Sequence, residues 1–330
     1  MQTDYAAWAW TSGQGLDGLT LTRKPLRQPG PGQVLVANRA IALNPVDWKI
    51  IEWGHSAWHT GRVPGVDGMG VVVAAGAGVT LQPGSRVAYH QSLANDGSFA
   101  EYCLLDAATV LSVPAALDDA AAASLPCPGL TAWQAVEKVP AIGAADVLVI
   151  GAGGAVGLLL VQLAVQRGWR VWATASGAHH EKLKALGAVG VFDYREPDWQ
   201  TALAASLGER RLHAVFDTVS GAHAAKMADL LGYNGHLVCI QDRQESAPLP
   251  AFTTAISLHE VALNSFHVHA SLHDRQTLRR NGEQLLQALL DGSLIGPALQ
   301  MFNFDELPQA LRALKDGAGG GKWVTRLPAV

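Results

Sequence analysis

The chain has 330 residues, 49% of them hydrophobic and 16% charged, with a formal net charge of -4 at pH 7. That length and apolar content supply two compact domains with their own cores and exclude a disordered chain. The 24 lysines and arginines are dispersed and outnumbered by 28 acidic residues, which argues against nucleic acid or an anionic membrane surface as partner.

From the N-terminus, MQTDYAAWAW has neither the basic start nor the long apolar run of a secretory leader. Cys103, Cys127 and Cys239 are far apart and form no C-x-x-C pair, so neither a disulfide framework nor a thiolate metal cluster is signalled, and a reducing cytoplasm fits. Residues 1–125 hold short Val, Ala and Ile runs (QVLVANRAIAL, GMGVVVAAG, SRVAYH, FAEYCLL) broken by PGPG and QPGS, which predicts an irregular all-β domain. From Asp118 the texture turns Ala-rich and helical, interrupted at Pro126 and Pro128, marking entry into a second domain over 126–296. There DVLVI, RVWATA, VGVFD, HAVFDTV and HLVCI alternate with amphipathic segments, the pattern of a doubly wound parallel sheet with helical crossovers. The apolar stretch 147–165 is divided by its glycines into strand, turn and helix, and is not read as a membrane span. A long helix is expected from about Arg275 to Leu290, and after Gly296 the chain reads strand, helix, glycine-rich turn, strand. Patterning leaves open whether residues 297–330 complete the second domain or return to the first.

The most informative segment is DVLVIGAGGAVGLLLVQ, where a strand ending at Ile150 runs into Gly151, Gly153, Gly154 and Gly157 and then a helix. Backbone amides of this turn, through Ala155 and Val156, can surround a diphosphate, while Gly157 serves helix-to-strand packing. The spacing fits G-x-x-G-x-x-G better than G-x-G-x-x-G, and the β-α-β setting favours a dinucleotide site over a structural glycine turn. The next strand ends near Thr174 without the Asp or Glu that binds both ribose hydroxyls of NAD about 20 residues past the first glycine. Ser176, His180 and Lys182 offer hydroxyl or cationic groups to a 2′-phosphate instead, so NADPH is expected over NADH. Ser176 as a helix cap and Lys182 as an ordinary surface residue stay open.

Several blocks in order, ALNPVDWKI at 42–50, PGVDGMGVV at 64–72, PGSRVAYH at 83–90, GSFAEY at 97–102, LPCPGLTAW at 125–133, GAGGAVG, DTVSG at 217–221 and GKWV, resemble the medium-chain dehydrogenase/reductase superfamily. The resemblance is to its zinc-free quinone oxidoreductase and enoyl reductase-like branch. It implies an α/β protein with a GroES-like β-barrel catalytic domain over 1–125, a Rossmann doubly wound parallel-sheet domain over 126–296, and a return of 297–330 to the first. It also implies that Asn44 lies near the nicotinamide ribose or substrate, that Asp47 orders the same turn, and that Thr131 faces the nicotinamide. Tyr194 is implied to pack against the adenosine phosphate, and Val219, Ile240, Phe266 and Val268 to stand at strand ends that wall the nicotinamide. His180 is near the position where some members place a lysine for the 2′-phosphate. Zinc-dependent members need a cysteine in a G-x-C-x-x-D turn and a histidine in GHE. Here those stretches read Asn44-Pro45-Val46-Asp47 and Gly65-Val66-Asp67, so no catalytic metal is expected.

Without zinc, and with no evident His–Asp relay, alcohol oxidation lacks a group to steady a developing alkoxide. Reduction of a quinone or of a carbon–carbon double bond conjugated to carbonyl asks less, because charge is delocalised onto oxygen. The expected activity is therefore NADPH-dependent, metal-free hydride transfer to a quinone, enone or enal, a small-molecule electrophile. Asn44, Trp53 and Thr131 are its catalytic candidates, Trp53 on the substrate side. Two alternatives remain: an NADPH-binding scaffold or redox-responsive regulator with little turnover, and an enoyl reductase acting on acyl thioesters. The family often forms homodimers by pairing sheet edges; FHVH at 266–269 could contribute such an edge, and a monomer is equally compatible.

Overall fold

Short extended runs, most with buried side chains, build the first unit of the structure, a computed structural model that describes residues 3–328. Strand β1 (Asp4–Trp10) pairs antiparallel with β2 (Leu19–Pro25). Strand β3 (Gln33–Ala42) is followed at once by helix α1 (Pro45–Trp53), which Pro45 starts with its preset φ and missing N–H. Next come β4 (Asp67–Ala75), β5 (Arg86–His90), β6 (Tyr102–Asp106) and β7 (Leu111–Ser112). Helix α2 (Asp119–Ala123) begins where the Asp118 carboxylate accepts the amides of Ala120 and Ala121, and α3 (Pro126–Glu137) follows.

The second unit, Thr131–Leu263, is a contiguous insert. Its elements are β8 (Asp146–Ile150), α4 (Ala155–Gln166), β9 (Arg170–Thr174), α5 (His180–Ala185), β10 (Ala188–Phe192), α6 (Trp199–Leu207), β11 (Leu212–Asp217), α7 (Gly221–Met227), β12 (Leu231–Cys239) and β13 (Ser257–Glu260). All six strands pair parallel in the order β10-β9-β8-β11-β12-β13. Every residue of β8 is buried, as a strand covered on both faces requires. Side chains such as Leu148 and Val149 each contribute about 1.5–3 kcal/mol by burial. The strand order reverses between β8 and β11, so the crevice at their carboxyl ends is where this fold takes ligands.

From Asn264 the chain belongs to the first unit again. Helix α8 (Phe266–His269) precedes α9 (Leu272–Asp291), then β14 (Leu299–Met301), α10 (Leu307–Lys315) and β15 (Lys322–Arg326). Ser271 and Asp274 form a reciprocal capping box at the start of α9, and Gly292 at φ 78° ends it. Leu278, Leu285 and Leu286 bury its inner face, and α9 belongs to the first unit, ahead of residue 297 where the resemblance implies the return. The unit's main sheet runs β14-β15-β3-β4-β5-β7, with β6 also on β3. Residues FHVH form a single helical turn, so the expected edge strand there does not exist. The alternation of Phe266 and Val268 matches a strand pattern, but four residues are too few for period alone to decide. The edge strands of the parallel sheet are β10 and β13 instead.

Candidate functional site

In the second unit, β8 delivers Gly151 into a turn that only glycine adopts comfortably, at φ 73°. The Gly151 N–H donates to Thr174 Oγ1 at 3.2 Å, tying the turn to the end of β9, and Thr218 Oγ1 donates to the carbonyl of Ile150 at 2.9 Å. Gly154 is the extended residue before α4, so the amides of Ala155 and Val156 open the helix. A Cβ at Gly157 would stand 2.5 Å from the Gly151 carbonyl oxygen and 2.6 Å from Ala152 Cα, so α4 packs on the turn only because that side chain is missing. The arrangement offers free N–H groups at a helix start to an anion such as a diphosphate.

Around this turn Thr174 is buried and Ser176 is the half-buried residue before a 3₁₀ turn. His180 points its Nε2 at the Ala175 carbonyl, 3.1 Å away, which leaves it tied to backbone. Its neighbour His179 lies over the turn: a Cβ at Gly153 would come within 2.7 Å of His179 Cδ2. Tyr194 is 55% exposed, and the Arg195 guanidinium lies 5.9 Å from its ring. The Arg195 guanidinium pairs with Asp193, which also accepts Arg195 N at 3.0 Å and Gly177 N at 3.1 Å; these bonds hold the Asp193 carboxyl well below the usual range. Val219 stands two residues past β11 and Ile240 directly follows β12, Val219 exposed and Ile240 buried. Buried Asp217 accepts the amides of Val219 and Ser220 at 2.7 and 2.8 Å and the Nδ1–H of His223 at 2.6 Å. Sequence reading missed this His–Asp pair because residues six apart meet here only through the positive-φ turn at Ser220. Thr131 is a buried residue of α3.

In the first unit, Phe266 is buried and Val268 69% exposed on the turn of helix α8, so neither stands at a strand end as expected. Trp53, 71% exposed at the end of α1, lines a groove of about 720 Å³ with Trp10, Glu52, Arg312 and Lys315. His90 and His267 stack at 5.5 Å between centroids, sharing one hydrogen bond of 3.3 Å. Burial pushes both imidazoles down, His267 to about 4.

Asn44 lies in a buried polar cluster. Sheet register assembles it: β4 sets Asp67 opposite Ala42 and His90, and β15 sets Val324 opposite Ala42. Lys322 Nζ donates to Asn44 Oδ1, Asn44 Nδ2 donates to Asp67 Oδ2 at 2.9 Å, and Lys322 Nζ stands 3.4 Å from the same oxygen. Cys127 N donates to both Asp67 oxygens at 3.0 and 3.1 Å. Asp47 accepts Asn44 N at 2.7 Å and Val66 N at 3.1 Å, which orders the 44–47 turn against the start of β4. Asp67 is fully buried and Lys322 only 4% exposed. Burial pushes Asp47 up to about 7 and Asp67 up to about 6, the latter against the pull of Lys322. Lys322 was not singled out from sequence beyond its place in GKWV.

Comparison with known proteins finds two domain types in order. Residues 30–115 match the alcohol dehydrogenase GroES-like domain and residues 155–285 the zinc-binding dehydrogenase domain. The trans-enoyl reductase ACTTS2 of Alternaria alternata is 33% identical over 313 residues, covering 87% of this chain and 89% of the relative. The trans-enoyl reductase tndF of Aspergillus flavipes is 33% identical over 62% of this chain, which spans 65% of that relative's length. Among solved structures, the quinone oxidoreductase of Coxiella burnetii is 25% identical, covering 98% of this chain and 100% of its own, with a TM-score of 0.79. A candidate zinc-dependent alcohol dehydrogenase from Rhizobium etli CFN 42 is 30% identical over 100% of both chains, with a TM-score of 0.88. With both domain types in order, the chain belongs to the medium-chain dehydrogenase/reductase superfamily of oxidoreductases, whose Rossmann-like domain takes a nicotinamide cofactor.

Proposed function

We propose that the protein is an NADPH-dependent reductase of quinones or α,β-unsaturated carbonyl compounds that works without a catalytic metal in a reducing cytoplasm. The observation that carries this reading is that Asn44, Val66 and Asp67 stand in the stretches where zinc-dependent members carry ligands, with the Lys322 ammonium against them. A catalytic zinc needs three N, S or O ligands and an open position. Asn44 and Val66 supply neither thiolate nor imidazole, both Asp67 oxygens are already engaged, and a buried ammonium repels a second cation. Zinc does not fit these residues, and among the described residues no three His, Cys, Asp or Glu side chains group to hold a metal.

A nicotinamide dinucleotide fits better: the amides at 151–157 would hold its diphosphate, with His179 and the 217–223 loop beside them. We assign Arg195, three residues past β10 and paired with Asp193, to exchange that partner for the 2′-phosphate of NADPH, since a guanidinium binds phosphate in bidentate fashion. When bound, the cofactor supplies hydride. The carbonyl or quinone oxygen gains negative charge as the conjugated carbon is reduced, and the Asn44 amide is the donor we assign to it. Relatives named for enoyl reduction and for quinone reduction share this demand.

Loss of reduced-nicotinamide absorbance, followed with NADPH and NADH separately against quinones, enones, enals, enoyl thioesters and aldehydes, tests the reading. Turnover with NADPH and a conjugated acceptor, in protein whose metal analysis shows no zinc, is expected. NADPH binding without turnover across the panel, or activity that requires stoichiometric zinc, overturns it.

A further inference from the structure

We propose that Lys322 is a positioning residue for this reduction: its ammonium fixes the Asn44 amide in one orientation and strengthens Asn44 Nδ2 as a donor to the substrate oxygen. The inference rests on the function proposed above. Asn44 is bracketed by groups of opposite charge, an ammonium on its carbonyl side and a carboxylate on its NH₂ side. Flipping the amide would turn its NH₂ toward Lys322 and its oxygen toward Asp67, both repulsive, so one orientation wins.

An asparagine NH₂ carries two hydrogens. Among the described residues one goes to Asp67 and no acceptor is assigned to the other. A cation bonded to the amide oxygen draws electron density from nitrogen, so the remaining N–H becomes a better donor, and burial enlarges the effect. Stability alone does not call for this set, because apolar replacement of buried ion pairs is often neutral or stabilising. The terminal strand thus supplies, 278 residues from Asn44, a fixed cation beside the turn where metal-dependent relatives need their zinc ligands.

The test compares wild type with Lys322→Met, with the double variant Lys322→Met/Asp67→Asn, and with Lys322→Arg. The double variant removes both members of the Lys322–Asp67 pair and serves if the single variant fails to fold. Both methionine variants are expected to lose roughly tenfold to a hundredfold in kcat with KM and NADPH affinity within about twofold, and the arginine variant to recover part of the loss. A second readout is 4-nitrophenol, whose absorbance reports its ionisation: wild type should bind it as phenolate and the methionine variants should not. A folded double variant with unchanged kcat and phenolate binding overturns the proposal alone. A wild type that reduces no acceptor overturns the function reading and the proposal with it.

Discussion

The glycine-lined turn of the second unit and the charged interior of the first solve opposite problems. At 151–157 the chain removes side chains so that backbone N–H groups are left free at a helix start, and Gly157 lets α4 close on the turn. At 44, 47, 67 and 322 it keeps polar side chains and buries them, so each group depends on another. A site made of backbone tolerates changes that keep the space open; a site made of buried charges fails when one member leaves. Three experiments probe that contrast.

The largest effect is expected in the first unit. Asp67→Ala strips the carboxylate from buried Lys322 and should cost about 3–5 kcal/mol in chemical denaturation. A loss under about 1 kcal/mol means that the cluster is not an interdependent set. Gly157→Val then tests the turn: its side chain collides with the Gly151 carbonyl and should weaken NADPH binding about a hundredfold, roughly 3 kcal/mol, in a fluorescence titration. Unchanged affinity would remove the turn from the cofactor site.

The smallest effect is on pH. The folded-state pKa of Asp67 is raised to about 6 from an unfolded value of about 4, so the folded state binds the proton more tightly. Wild-type stability measured against Asp67→Asn should therefore fall, by on the order of 1 kcal/mol, as pH rises from about 4 through about 6. His267 runs the other way: its folded value of about 4 lies below an unfolded value of about 6.5. Stability relative to His267→Gln should accordingly rise over about pH 4 to 6.5. Thermal unfolding across that range reads both signs, and two parallel slopes would contradict the assigned burial.

The same contrast explains what could be read in advance. Strand β8, its turn and α4 are consecutive residues whose apolar run and glycines announce them locally, and the parallel sheet follows from repeating that unit. The cluster was half legible: Asn44, Asp47 and Asp67 stand out against the zinc ligands that metal-dependent members need in those stretches, but nothing local marks Lys322 as the partner of Asn44. His179 and His180 show the resolution limit, since one residue along a helical start turns a side chain from the glycine turn to the Ala175 carbonyl. The His223–Asp217 pair was hidden because it depends on Ser220 at φ 89°, a backbone state that composition does not signal.

Strand β15 also orders events in time. All six strands of the inserted unit are available once residue 260 has left the ribosome, so that unit can fold while the chain is still growing. The first unit begins earlier and finishes later: Asp67 is made 255 residues before the lysine that neutralises it. Until β15 is made, Asp67 and Asn44 lack the cation they share, so the interior of the first unit is completed only when that strand arrives.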